Sequence, residues 1–270
     1  MEAAVSAAPE AGLDRPPSFR ERFVGVLVRP RETFARMGDP DAWFWPAILL
    51  LVGYILYYLA IGVGTARWQA SFMGAMLART RQPNPSAQNG QAIMLAVMPV
   101  TQLFAAMLQV PVTIAASWAV RTVAFYGLAR LLGGAKPHWA RVVAMVGWAW
   151  TPLFFQYALL GILMLTVPQV LAFFLPLPKE PTNPAPMRTA QSVQFLLYLS
   201  PFVFWNLALC VIGVGELFRL PRWKACLVVL VPTVAQLLFL VAMYFISLAM
   251  MDTFGMGTMP TPPAPNGPSR

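Results

Sequence analysis

The chain has 270 residues, of which 58% are hydrophobic and only 11% charged, whereas a soluble domain is roughly a quarter charged. So few charges exclude a water-solvated globule for most of the chain and make lipid its principal solvent. The formal charge of +9 could suit nucleic acid, but the basic residues sit between apolar runs rather than in one patch with stacking aromatics. No nucleic-acid partner is therefore expected, and anionic lipid headgroups are the expected electrostatic partner.

Residues 1–16 are rich in Ala, Pro and Glu without periodicity, which predicts a disordered leader with too little apolar area to fold. Residues 17–43 read as an amphipathic arm. Phe19, Phe23, Val26 and Leu27 fall at helical spacing opposite Arg20 and Arg22, so a short helix in the membrane interface is predicted. Pro30 starts a second short helix carrying Phe34 and Met37 on an apolar side. Arg20, Arg22, Arg29, Arg31 and Arg36 are placed on the headgroups. The same arginines interrupt any signal-peptide core, so membrane targeting is expected from the first span.

The five-span region covers 44–250. Residues 44–64 carry no charge and follow Trp43, Phe44 and Trp45, an interfacial aromatic belt. Residues 65–92, with Arg67, Arg79, Arg81 and Gln82-Pro83-Asn84-Pro85-Ser86, read as a loop, with a short surface helix within 71–77. The stretch 92–132 is apolar for about twice the twenty residues a span needs. A hairpin at Pro111 would put apolar residues in the headgroups, so one long helix is expected, with its span at 99–131. Two spans there would raise the count to six.

Gly133-Gly134-Ala135-Lys136-Pro137-His138 is a break flanked by Arg130 and Arg141. The third span is predicted at 142–167, with Pro152 marking a helix kink packed against protein. A Pro-rich connection over 168–191 leads to spans at 193–214 and 226–250, separated by a turn holding Arg219, Arg222 and Lys224. These three are further candidate headgroup contacts. The tail 251–270 is Pro-, Gly- and Ser-rich and is expected to be disordered. Twelve Lys and Arg fall on the N-terminal side of this layout and six on the other, which orients the N-terminus to the cytoplasm and, with five spans, the C-terminus to the far side.

Two charges fall in or near spans. Arg121 lies either at the cytoplasmic headgroups, as snorkelling and the positive-inside pattern favour, or deep in the membrane, where it needs a partner. Glu216 is expected to pair with Arg219 or Arg222, and an Arg121 to Glu216 contact is the sharper alternative. His138, the only histidine, reads as a solvated turn residue. One histidine leaves no H-E-x-x-H metal site, no serine–histidine dyad and no prenyl-protease-like glutamate and histidine set, and no phosphate-binding glycine loop occurs. Met and Trp suit helix contacts and interfaces better than haem or copper. No catalytic residue, cofactor or metal is expected.

Three local features carry a resemblance to a known family. Leu27-Val28-Arg29-Pro30-Arg31-Glu32-Thr33-Phe34 resembles an amphipathic P-x-x-x-F lead-in, Leu131-Leu132-Gly133-Gly134-Ala135 a Gly-containing turn after the second span, and Trp148-Ala149-Trp150-Thr151-Pro152 a tyrosine–alanine…proline element in the third. The chain thereby resembles the Yip-domain family of multipass membrane proteins over roughly residues 22–250, with Trp where an aromatic Tyr is usual. The resemblance implies an all-α bundle of about five transmembrane helices behind a cytoplasmic interfacial helix. In eukaryotic members it implies association with Rab-type GTPases. Arginine outnumbers lysine sixteen to three, and abundant Ala and Pro resemble a bacterial protein, for which a Rab partner would not apply and the cytoplasmic membrane is the expected location. The expected role is a non-enzymatic scaffold or accessory subunit acting on membrane proteins or lipids. The alternative is a small transporter or channel component with Arg121 and Glu216 lining one polar cavity.

Overall fold

A computed structural model of the chain describes residues 17–37, 43–80, 85–167, 169–170 and 199–253. The leader 1–16, nearly all of the connection 168–191, residues 193–198 of the fourth predicted span and the tail from 254 onward lie outside the described residues. The described residues form eight α-helices and no strand: α1 Phe19–Val28, α2 Pro30–Ala35, α3 Phe44–Thr80, α4 Pro85–Leu131, α5 Trp139–Ala149, α6 Thr151–Thr166, α7 Pro201–Phe218 and α8 Arg222–Thr253.

Local chemistry sets the helix starts. Ser18 accepts from the Glu21 N–H while the Glu21 carboxylate accepts from the Ser18 N–H at 2.6 Å, a reciprocal cap for α1. Pro30, Pro152 and Pro201 occupy the first turns of α2, α6 and α7, where a missing N–H costs no helical bond. His138 is exposed and caps α5, its Nδ1 accepting from the Ala140 N–H at 3.4 Å.

Five helical stretches are long and apolar enough to cross a membrane: Phe44–Gly62, Met107–Leu131, Trp139–Thr166, Pro201–Phe218 and Arg222–Ile246. The apolar run from 92 to 131 lies in one helix, α4, as expected. Residues 65–80 and 85–92 do not form the expected loop, because α3 continues to Thr80 and α4 starts at Pro85; residues 81–84 lie outside the described residues. At about 1.5 Å per residue, the 47 residues of α4 are about twice as long as the ~30 Å hydrocarbon core. Polar composition had suggested a loop there, but a helix that leaves the membrane is free to become polar without unwinding. Residues 251–253, expected in the tail, are the last residues of α8.

Small residues set the closest packing. A Cβ on Gly161 would meet the backbone of Leu56 and Tyr57 at 2.7–2.8 Å, and one on Gly53 would meet the Phe154 carbonyl oxygen at 3.1 Å. The α3–α6 seam therefore depends on backbones approaching closely, the usual device where lipid removes any hydrophobic drive for helices to associate. Tyr54 and Tyr57 lie 4.1 and 5.3 Å from Tyr157, centroid to centroid, along the same seam. Elsewhere Trp118 fills the space over Gly147, and its Nε1 donates to the Val143 carbonyl at 2.9 Å.

The N-terminal arm is built into the bundle. Val26, Phe34 and Met37 are buried in the main core with Met145, Trp148 and Phe218, and Phe19 packs against Trp45 and Trp148. Arg141, across from α2, donates to the Met37 and Ala35 carbonyls at 2.8 and 3.3 Å, a cation on a helix C-terminus. The apolar side of the arm thus faces protein.

Candidate functional site: a polar cavity within the bundle

Four helices contribute polar groups at one level. In α4, Arg121 donates through one terminal nitrogen to Asn206 Oδ1 of α7 at 3.4 Å, and through the other to Gln236 Oε1 of α8 at 3.1 Å. Its guanidinium lies 5.1 Å from the centre of the Trp150 ring, a cation over an aromatic face. Asn206, buried, uses its Nδ2 to reach the Ala149 carbonyl at 2.7 Å. That acceptor sits beside the Trp150 break between α5 and α6. Trp150 has φ −82° and ψ −2°, and Pro152 stands in the first turn of α6, so the interrupted helix offers a carbonyl for a neighbouring helix to satisfy.

With Arg121, Trp150, Asn206 and Gln236, the residues Tyr54, Tyr57, Tyr58, Thr113, Ser117, Gln156 and Tyr157 line a cavity of about 210 Å³. Gln156 Oε1 accepts from the Ser200 hydroxyl at 2.7 Å. At the helical rise of about 1.5 Å per residue, Arg121 is about 15 Å from the Leu131 end of α4 and Asn206 about 18 Å from the Phe218 end of α7. Gln156 and Thr113 are roughly 25 Å from that same end. The cavity therefore runs from Arg121 towards the opposite end of the bundle. A second cavity, of about 360 Å³, lies between α3, α4 and α5 and is almost wholly apolar, lined by groups such as Leu51, Ile114 and Trp118.

Several site expectations change. Arg121 does not snorkel to the headgroups: its guanidinium turns into the bundle towards two amides. Glu216 is not in the cavity and does not meet Arg121. It accepts from Arg31 Nε at 2.7 Å, so a shared cavity lined by Arg121 and Glu216 is excluded. Nor does Glu216 pair with Arg219 or Arg222. Arg219 adopts a left-handed conformation, φ 53°, with its N–H and that of Leu220 both bonded to the Gly215 carbonyl, and the chain turns away there.

Several of the candidate headgroup cations lie near one end. Ala135 N–H donates to the Phe218 carbonyl at 2.8 Å, and Lys224 donates to the Leu132 carbonyl at 2.9 Å, so the turns after α4 and α7 abut. Arg31 ties the arm to the same place. Arg29, Arg31, Arg36, Arg219 and Arg222, in or beside these segments, are exposed and Lys224 is half-buried, while Arg20 is exposed on α1. Arg22 departs from the expected headgroup set, being only 6% exposed, because its position on α1 faces the bundle.

Asn206, Gln236, Ser117 and the tyrosines were not singled out from sequence. Among the described residues, no three His, Cys, Asp or Glu side chains converge as a metal site would need.

No curated protein and no solved structure matches the chain. The family model described as Yip1 domain matches residues 24–244, from within α1 to near the end of the fifth apolar stretch. The chain is a multipass integral membrane protein that belongs to the Yip1 domain family.

Proposed function

We propose that this protein is a non-enzymatic scaffold or accessory subunit of a membrane. Its cationic end engages anionic headgroups, and its peripheral helices meet other integral membrane proteins. The observation that carries the reading is the construction of the cationic end. Three segments far apart in sequence are fastened together by Arg31 to Glu216, Arg141 to the Ala35 and Met37 carbonyls and Lys224 to Leu132. They present exposed arginines on a preformed base rather than on a flexible tail, and each basic group near an anionic surface adds to attraction. By the positive-inside tendency this end faces the cytoplasm, and the Arg-rich, Lys-poor composition supports a bacterial cytoplasmic membrane. A Rab-type GTPase partner belongs to this reading only if the source is eukaryotic.

Native mass spectrometry of the protein extracted from bilayers of mixed phosphatidylcholine and phosphatidylglycerol tests the headgroup half. Phosphatidylglycerol should be enriched among retained lipids, and Gln at Arg20, Arg36, Arg219 and Arg222 together should abolish that enrichment. Equal retention by the wild type and this variant would overturn it. For the partner half, a photo-crosslinker at the exposed Leu238 of α8 should give a discrete protein adduct in native membranes, and adducts to lipid alone would count against it.

A further inference from the structure

We infer that the cavity beside Arg121 is a binding site for one small oxyanion, a carboxylate or phosphate group, held by the guanidinium. Arg121 carries its charge about 15 Å from the nearer end of its span, where a bare cation is strongly disfavoured. The groups around it, the Asn206 and Gln236 amides and the Trp150 ring, solvate the charge without neutralising it. Among the described residues no carboxylate lies within ion-pairing reach of it; Glu216 and Glu32 are both engaged at the cationic end.

Donors are in surplus at this wall. A guanidinium has five N–H groups in a fixed fork that matches planar oxyanions, and Arg121 has acceptors for two of them among the described residues. The Nε1–H of Trp150, in the same wall, is buried with no acceptor among the described residues. Buried polar groups are normally satisfied, and each exception calls for an explanation such as an ion or water. An arginine that merely fastened α4 to α7 and α8 would need no open space. Instead about 210 Å³ adjoins it, room for several waters. That admits a carboxylate or phosphate group and the first part of its stem, with any longer chain outside the cavity. Ser117 and Thr113, one and two turns before Arg121 on α4, line the same cavity and can donate to the remaining oxygens.

The test uses the full chain in nanodiscs of zwitterionic lipid, at constant ionic strength, with tryptophan fluorescence and the thermal midpoint as readouts. Acetate and inorganic phosphate stand for a free anion, decanoate for a carboxylate carried by a membrane amphiphile, and chloride for screening alone. At least one oxyanion should give a saturable response that chloride does not. A response to acetate or phosphate assigns a soluble source, and one to decanoate alone a membrane source. R121Q, which keeps amide-type hydrogen bonding without the charge, should weaken the affinity about tenfold or more, equivalent to about 1.4 kcal/mol. S117L, which fills the cavity and leaves Arg121 in place, should do the same and decides the matter if R121Q fails to fold. No saturable response in the wild type, a response matched by chloride, or a response retained in S117L would overturn the proposal. So would a wild type that binds no probe while R121Q alone loses a co-purifying membrane protein, since Arg121 would then be the socket for a partner helix's carboxylate.

Discussion

The third and fifth apolar stretches are similar in length, 28 and 25 residues, and the fifth is the more apolar. In a water-soluble protein the greasier helix would be the inner one. Here 44% of an 18-residue apolar window of the third is buried and only 11% of the corresponding window of the fifth. The third carries Gly147, Gly161, Thr151, Pro152 and Gln156, while the fifth shows Leu227, Leu238, Phe239 and Phe245 to its surroundings. Lipid welcomes leucine and phenylalanine as readily as a protein core does, so apolarity does not draw a helix inward. Close backbone approach and hydrogen bonds between helices do. The break at Trp150, which would weaken a helix in lipid, sits where Asn206 can use the Ala149 carbonyl.

Substitutions that exchange these roles should rank accordingly. The largest effect is expected for Trp148→Ala in α5. That side chain is fully buried, and truncations of this kind cost about 3–5 kcal/mol, measured as a loss of resistance to denaturing detergent in mixed micelles. Gly161→Ala should cost up to about 3 kcal/mol, the upper range for overpacking, because the added carbon meets Leu56 backbone and not a side chain that could swing away. Arg31→Ala and Glu216→Gln should each cost under about 1 kcal/mol, as expected for a pair with side chains 65% and 27% exposed. A double-mutant cycle should show coupling between those two residues, whereas reversing the charges of Arg121 and Glu216 together should give no mutual rescue. The smallest effect should come from Leu238→Ala on α8, within about 0.5 kcal/mol in the isolated protein. A loss comparable to Trp148→Ala would mean that the fifth stretch is packed inside.

The five apolar stretches were legible because twenty uncharged residues have few other uses, and the continuous helix over 92–131 followed from the lack of a polar turn at Pro111. The break at Trp150 was signalled by Pro152, two residues downstream. The surroundings of Arg121 were not legible. Asn206 and Gln236 lie 85 and 115 residues away, and neutral amides in apolar helices carry no spacing signature that ties them to a distant arginine. Glu216 misled for a related reason. Arg219 and Arg222 are near in sequence, but the left-handed turn at Arg219 removes them, and Arg31, 185 residues away, takes the contact once the arm is folded onto α7.

The meeting of the second, fourth and fifth stretches at Arg121 is tested most directly by solid-state NMR of the chain in bilayers, measuring dipolar coupling between arginine guanidinium nitrogens and the Gln236 side-chain carbon. With 3.1 Å between Arg121 and Gln236 Oε1, a clear coupling is expected, lost in Arg121→Gln and unchanged in Arg219→Gln. No coupling in the wild type, or one that survives Arg121→Gln, would contradict an inward-facing Arg121 and the cavity built around it.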